Sequence, residues 1–273
     1  MKKSRRKALG QHFLSDRGVL RKILSVINPQ RGELIVEIGA GKGALTFLLA
    51  KSGAKIFAIE KDREFIPFLR KEREFPNIRA IEKDILDVDL REIAKKDVVK
   101  LVGNLPYSIS SPLLFKILED KESISSCVFL LQREVAERLC ASPGSKKYSP
   151  LSILFQNDFS TRLHFVVSPE AFSPPPRVES ALISLKKRLH PLFPIPDRES
   201  FMKFLKGAFQ QRRKKLVNNL KGLSLPHTQI RTALKTCGIE DIHRPEEVSL
   251  LQFVKLFGLL YGKQTEDPPR HPS

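Results

Sequence analysis

The sequence predicts an α/β fold: a mostly parallel sheet with helices on both faces, an antiparallel hairpin closing its C-terminal edge, and a small all-helical domain after it. Three observations carry this. Short, continuous apolar runs recur through the first half of the chain and alternate with helical patterns, as strands buried on both faces do. Two later runs, 159–168 and 178–187, alternate apolar with polar residues instead, and three consecutive prolines lie between them. After residue 197 the sequence offers helix patterns and no strand candidate.

In chain order, LIVEI (34–38) is the first buried strand and runs into a glycine-rich turn, Gly39-Ala40-Gly41-Lys42-Gly43. ALTFLLAKSG then has helical spacing and a terminal glycine stop. AKIFAIE (54–60) reads as the second strand, DREFIPFLRKE as a helix, NIRAIEKD (77–84) as the third strand, VVKLVGN (98–104) as the fourth and CVFLLQ (127–132) as the fifth. FSTRLHFVVS and VESALISLKK form the edge hairpin, joined through the proline-stiffened SPPPRVES. After LHPLFPIPD, helices are expected over 198–221, 228–237 and 248–261. The chain therefore divides into a first domain over 1–190, a basic helical domain over 191–262 and a disordered tail over 263–273.

Lysine and arginine number 48 against 30 acidic residues, a formal net charge of +18. So large a charge repels itself, and a polyanionic partner is expected, nucleic acid before an anionic membrane. No stretch approaches the ~18–20 apolar residues of a spanning helix, and no apolar signal segment follows the basic start. Cys127, Cys140 and Cys237 lack paired spacing, which suits a reducing compartment, and the six histidines lack ligand spacing, so no metal is expected. These features point to a cytoplasmic protein with no membrane association, expected to act as a monomer.

The chemistry gathers at strand ends. Glycines after the first strand let the backbone approach a ligand, and the following helix start offers free N–H groups. No serine or threonine follows Lys42, which excludes a phosphate-binding Walker loop, whereas Gly39, Gly41 and Ala44 fit a dinucleotide turn. The second strand ends in Glu60, where a carboxylate can accept from both ribose hydroxyls. The third ends in Asp84-Ile85, placed to accept from an adenine amino group and to cover the ring. Three such strand ends on one rim favour an adenosine-bearing ligand, and a dehydrogenase and a methyltransferase both fit at this point.

The fourth strand ends in Asn104-Leu105-Pro106-Tyr107, which resembles the amino-methyltransferase motif (N/D)PP(Y/F). An exocyclic amine on an aromatic base has its lone pair delocalised into the ring and is a poor nucleophile. Two acceptors, the Asn104 side-chain oxygen and the Leu105 carbonyl, favour its pyramidal, attacking form. Pro106 fixes φ so that this carbonyl points into the site. Tyr107 supplies a face on which a flipped-out base stacks.

LGQHFL (9–14), VEIGAGKGALT (36–46), NLPYSISSP (104–112), LLQREVAERL (130–139), FSPPPRVESALISL (172–185) and FQQRRKKLVNNL (209–220) together resemble the small-subunit rRNA adenine dimethyltransferase family, known as KsgA in bacteria. The likeness runs from about residue 8 to 262. It implies a Rossmann-like methyltransferase sheet and S-adenosyl-L-methionine as donor, with S-adenosyl-L-homocysteine as product. It further implies dimethylation at N6 of two adjacent adenosines near the 3′ end of small-subunit (16S) rRNA, within the assembling 30S particle. By matching position, His12, Leu14, Gly39, Gly41, Glu60, Asp84, Ile85 and Asn104 line the cofactor site, and Phe172, in a mobile loop, stacks on the target base opposite Tyr107. Many relatives carry Pro-Gly-Leu-Gly where Ala40-Gly41-Lys42-Gly43 stands, and many read QNFL where this chain has His12. A large-subunit resistance methyltransferase shares the fold, but the FSPPPRVES loop and the extended helical domain argue against it. The eight residues before LGQHFL leave no room for a transit peptide, which argues against a mitochondrial binding-protein relative.

The charge has a place in this reading. Arg5 and Arg6 belong to a basic arm, and Arg212-Arg213-Lys214-Lys215 to the expected helix over 198–221. Four consecutive residues cover most of a helix's circumference. At least two of the four are therefore expected to pin the helical domain to the first domain through acidic or carbonyl partners. The remainder, with Arg5 and Arg6, are expected to meet rRNA phosphates.

Overall fold

The structure, a computed structural model, describes residues 12–70, 73–223 and 225–262. The basic arm with Arg5 and Arg6, and the tail over 263–273, lie outside the described residues. The chain forms two compact units: residues up to Cys140 with Asp158–His190, and Ala141–Asn157 with the chain from Pro191 onward.

The first unit contains β1 (Phe13–Leu14), β2 (Leu34–Ile38), β3 (Lys55–Glu60), β4 (Ile78–Glu82), β5 (Val99–Asn104), β6 (Ile124–Gln132), β7 (Phe159–Val167), β8 (Phe172–Ser173) and β9 (Ser180–Lys187). Seven of these make one sheet in the order β4-β3-β2-β5-β6-β9-β7. The pairs from β4 to β6 are parallel, while β9 runs antiparallel to both β6 and β7. β2 and β5 are buried along most of their length, as expected for central strands covered on both faces. The expected hairpin is present, with Val167 opposite Ser180 and Phe159 opposite Lys187. Its second strand inserts beside β6 and leaves β7 at the edge. β7 alone shows the alternating burial of an edge strand, whereas β9 is buried over most of its length.

Several expected helices are shorter than their patterns. The pattern over 62–72 becomes a 3-10 turn, Arg63–Phe65, and one helical turn, Ile66–Leu69, with Pro67 tolerated at its start. Sequence periodicity did not foresee β1, which pairs antiparallel with β8 so that Leu14 faces Phe172. It also did not foresee the helix Arg17–Ile27, capped by the Asp16 carboxylate on the Val19 N–H at 2.9 Å.

In the second unit the helices are Pro150–Asp158, Arg198–Ala208, Leu216–Leu220, His227–Thr236 and Leu250–Tyr261, with fully buried Phe201 and Phe253 in its core. The sequence places 141–157 with the first domain, but the structure assigns Ala141–Asn157 to the second unit. The Asn157 side chain explains this: it donates to the Phe193 carbonyl at 3.1 Å and accepts from the Phe193 N–H at 3.0 Å. The single helix expected over 198–221 is also corrected. It stops at Ala208 because the Asn219 amide takes the carbonyls of Ala208 and Gln211, at 2.8 and 3.2 Å, while the Leu216 N–H bonds to the His243 carbonyl. Among the described residues, no helix is long and apolar enough to cross a membrane.

Candidate functional site

Parallel strands present their carboxyl ends on one rim, and the strand order reverses between β2 and β5, where a crevice opens. Gly39 follows β2 there and Asn104 ends β5. Three cavities meet at Gly39. The largest, about 810 Å³, is lined by Gly39, Glu60, Lys61, Asp84, Ile85 and Pro106, among others. A second of about 60 Å³ is lined by His12, Glu60, Asn104, Leu105, Tyr107 and Phe172, with Phe13, Gly39 and Pro106. A third of about 170 Å³ lies against Leu14, Leu20, Ile23, Glu37, Gly41 and Asn104. The structure thus brings together every expected site residue of the first unit that is described.

Gly41 has φ +53°, and a Cβ there would stand 3.0 Å from the Phe13 ring, so a side chain would be strained by the backbone and would crowd that ring. Its N–H donates to Glu60 Oε2 at 2.8 Å, and the Asp62 N–H donates to Glu60 Oε1 at 2.8 Å. Glu60 is only 5% exposed. Burial raises its pKa, and the two backbone N–H groups work against that rise. Asp84 ends the neighbouring strand's turn, with Oδ1 accepting from the Leu86 N–H at 3.0 Å and Oδ2 from Lys61 Nζ at 2.7 Å. Burial pushes its pKa up, but the Lys61 and Leu86 hydrogen bonds outweigh it, and Asp84 is held below the ordinary carboxylate value.

The Asn104 amide is oriented by the backbone across the site. Its Nδ2 donates to the His12 carbonyl at 2.8 Å, which leaves Oδ1 as the acceptor of a side chain that lines two of the three cavities. His12 is held in turn by a 2.8 Å bond between Nδ1 and the Pro174 carbonyl. The Leu105 N–H bonds to the Leu130 carbonyl at 3.1 Å, and the Tyr107 hydroxyl to Ser180 Oγ at 3.0 Å.

Phe172 does not sit in a loop as the sequence suggests. It lies in β8 and is 4% exposed, because pairing with Leu14 draws its ring into the core cluster. Arg212 and Arg213 belong to the second unit and lie on turns rather than a helix. Arg212 Nη2 donates to the carbonyls of Lys146 and Tyr148, at 2.6 and 2.7 Å. Among the described residues it alone of the four has the expected carbonyl partners, and they lie within its own unit. Arg213, Lys214 and Lys215 are exposed.

Glu37 was missed, although a charge inside the apolar run LIVEI was a visible signal. It is 3% exposed, and its Oε2 accepts no hydrogen bond. Burial, with a smaller push from the Glu60 charge and against the opposing effect of Thr46, raises its pKa to about 8. The folded state therefore keeps a proton that the unfolded chain releases from about pH 4.5 upward, and stability falls as pH rises from there to about 8. Glu37→Gln should melt progressively higher than the parent protein across that window. A pH-independent difference in melting temperature would show that Glu37 is not the titrating group.

The chain matches the family described as ribosomal RNA adenine dimethylase over residues 2–261. It is 42% identical over 257 residues to ribosomal RNA small subunit methyltransferase A of Geobacter metallireducens, covering 92% of this chain and 94% of that protein. It is 41% identical over 254 residues to the protein of the same name from Xylella fastidiosa, covering 92% and 94%. Among solved structures, a dimethyladenosine transferase from Plasmodium falciparum superposes with a TM-score of 0.75 at 24% identity, covering 90% of this chain and 96% of that one. The 23S rRNA methyltransferase ErmE superposes with a TM-score of 0.70 at 24% identity, covering 91% and 99%. Those two likenesses speak for the fold: a Rossmann-like methyltransferase sheet, mostly parallel, with an antiparallel edge and a helical C-terminal region. On the extent of the family match and the identity to its relatives, the chain belongs to the ribosomal RNA adenine dimethylase family.

Proposed function

We propose that the chain transfers methyl groups from S-adenosyl-L-methionine to N6 of two adjacent adenosines near the 3′ end of small-subunit rRNA, within the assembling 30S particle. The observation that carries this reading is the Asn104 amide, oriented by the His12 carbonyl so that Oδ1 serves as an acceptor in the cavity that Tyr107 and Phe172 also line. With the Leu105 carbonyl it would hold both N–H groups of an exocyclic amine and favour the pyramidal nitrogen. The site asks for orientation and exclusion of water, and no residue need act as a strong base, because the proton can leave after methyl transfer. Phe172 is buried, so its ring must be uncovered before it can stack on a base opposite Tyr107.

Membership in the family implies use of S-adenosyl-L-methionine, and the residues present suit it. The large cavity offers an ionised acceptor at Asp84 beside apolar Ile85 for an adenine, and Glu60 for ribose hydroxyls. The orphaned oxygen of buried Glu37 lines the third cavity, and a cationic methionyl end placed against it would favour the ionised carboxylate that burial alone disfavours. Gly39 and Gly41 leave room between these groups, and His12, Leu14 and Asn104 complete the lining. When bound, the donor supplies a methyl group activated by its sulfonium.

The decisive test is incubation with labelled donor and undermethylated small subunits, followed by mapping of the label. Label at N6 of two adjacent adenosines near the 3′ end is expected; small subunits left unlabelled, with label entering large subunits offered in parallel, would overturn the reading. For the donor site, Glu60→Gln is expected to weaken binding by on the order of 1.5–3 kcal/mol in calorimetry, the range for hydrogen bonds to a charged group. Unchanged affinity would remove Glu60 from the ribose subsite.

A further inference from the structure

The helix Arg17–Ile27 has two faces of different character. Leu20, Ile23 and Ile27 are buried, and Leu20 and Ile23 line the cavity that Glu37, Gly41 and Asn104 share. Arg17, Arg21 and Lys22 are exposed on the outside, and the helix contains no acidic residue. Four cations on other helices have an acid one turn away: Lys116 with Asp120 at 2.8 Å, Arg133 with Glu137 at 3.0 Å, Arg138 with Glu134 at 2.7 Å and Lys203 with Glu199 at 2.7 Å. None of the three cations on this helix has an ion-pair partner among the described residues.

The arrangement works against the helix itself. Arg17 is the first helical residue, where the macrodipole disfavours a cation, and Arg21 repeats the charge four residues on. The helix is nevertheless held firmly beside the site. Asp16 caps it, and the Ser15 and Asp16 N–H groups donate to the Ala171 carbonyl at 2.9 and 3.2 Å, next to Phe172. Exposed Lys42 adds a further cation on the wall of the same cavity.

We propose that the outer face of this helix, Arg17, Arg21 and Lys22, binds the phosphate backbone of the RNA strand that delivers the target adenosine. The proposal rests on the rRNA reading above and names a surface for it. Unpaired cations of one sign, with no acid among them, fit a polyanion whose counterions they release on binding.

The test is a salt series of binding to undermethylated small subunits, using Arg17→Glu/Arg21→Glu and the milder Arg17→Gln/Arg21→Gln, with Lys51→Glu/Lys55→Glu as a control on exposed cations elsewhere in the unit. Two lost phosphate contacts should reduce the log–log salt slope by about 1.4–1.8 in both helix variants, at ~0.7–0.9 per contact. Affinity at low salt should fall at least about tenfold in the charge-reversed variant, while donor affinity, which also reports correct folding, stays unchanged. A parental slope in both helix variants, or an equal fall in the control, would overturn the proposal. So would a variant that keeps its slope on small subunits but loses binding to anionic vesicles, which would give the face to a membrane. Parent protein that neither binds nor methylates small subunits would overturn the functional reading, and the surface with it; normal parental binding with unaltered variant slopes overturns the surface alone.

Discussion

Asn104→Ala is expected to lower the rate of methyl transfer by on the order of 10²–10³-fold, the cost of deleting one preorganised polar group from a reacting centre. Asn104 ends β5, its Nδ2 is committed to the His12 carbonyl, and Oδ1 is left as the acceptor. Alanine removes that acceptor and also releases the His12 segment, so a smaller loss of donor affinity should accompany the loss of rate. Single-turnover transfer to small subunits and donor calorimetry separate the two effects. A rate near the parental one in a folded variant would show that Asn104 does not hold the reacting amine.

Gly103→Ala should damage both fold and site. β2 and β5 pair in parallel with Glu37 opposite Val102, which sets Gly103 beside the end of β2. A Cβ at Gly103 would stand 2.6 Å from the Ile38 carbonyl oxygen and 3.2 Å from Leu105 Cδ2. Leu105 is a side chain and can yield; the Ile38 carbonyl is backbone within the sheet, and moving it opens the β2–β5 pair at the crevice. Overpacking of this kind costs about 1–3 kcal/mol or more, and each kcal/mol lowers the melting temperature of a domain this size by roughly 2–4 °C. Melting should therefore fall on the order of 5–10 °C, with donor affinity lost in parallel because Gly39 and Asn104 flank the displaced carbonyl. A variant with parental melting and parental affinity would mean that the two strands do not approach so closely.

The parallel sheet was legible because its evidence is local. A buried strand such as LIVEI or VVKLVGN needs a continuous apolar run, and the turn after it needs glycines whatever the rest of the chain does. Glu60, Asp84 and the Asn104–Tyr107 segment could be singled out for the same reason: each closes a recognisable strand, and parallel strands deliver their ends to one rim.

By itself, then, the sequence determined the strands of the seven-stranded sheet, the hairpin and most of the residues that gather at the crevice. Partners distant along the chain decided the rest. The Asn104 amide is oriented by a carbonyl 92 residues away, and Phe172 leaves its expected loop because Leu14 pairs with it. The helical pattern beginning at 198 ends at Ala208, where Asn219 captures carbonyls that a continuing helix would have used, and Arg212 turns to the backbone of Lys146 and Tyr148. Burial inside the sheet gives Glu37 its unusual affinity for a proton, although its neighbours in sequence are ordinary strand residues. Periodicity and turn chemistry act over a few residues, whereas desolvation, side-chain orientation and strand order depend on groups that only folding brings together.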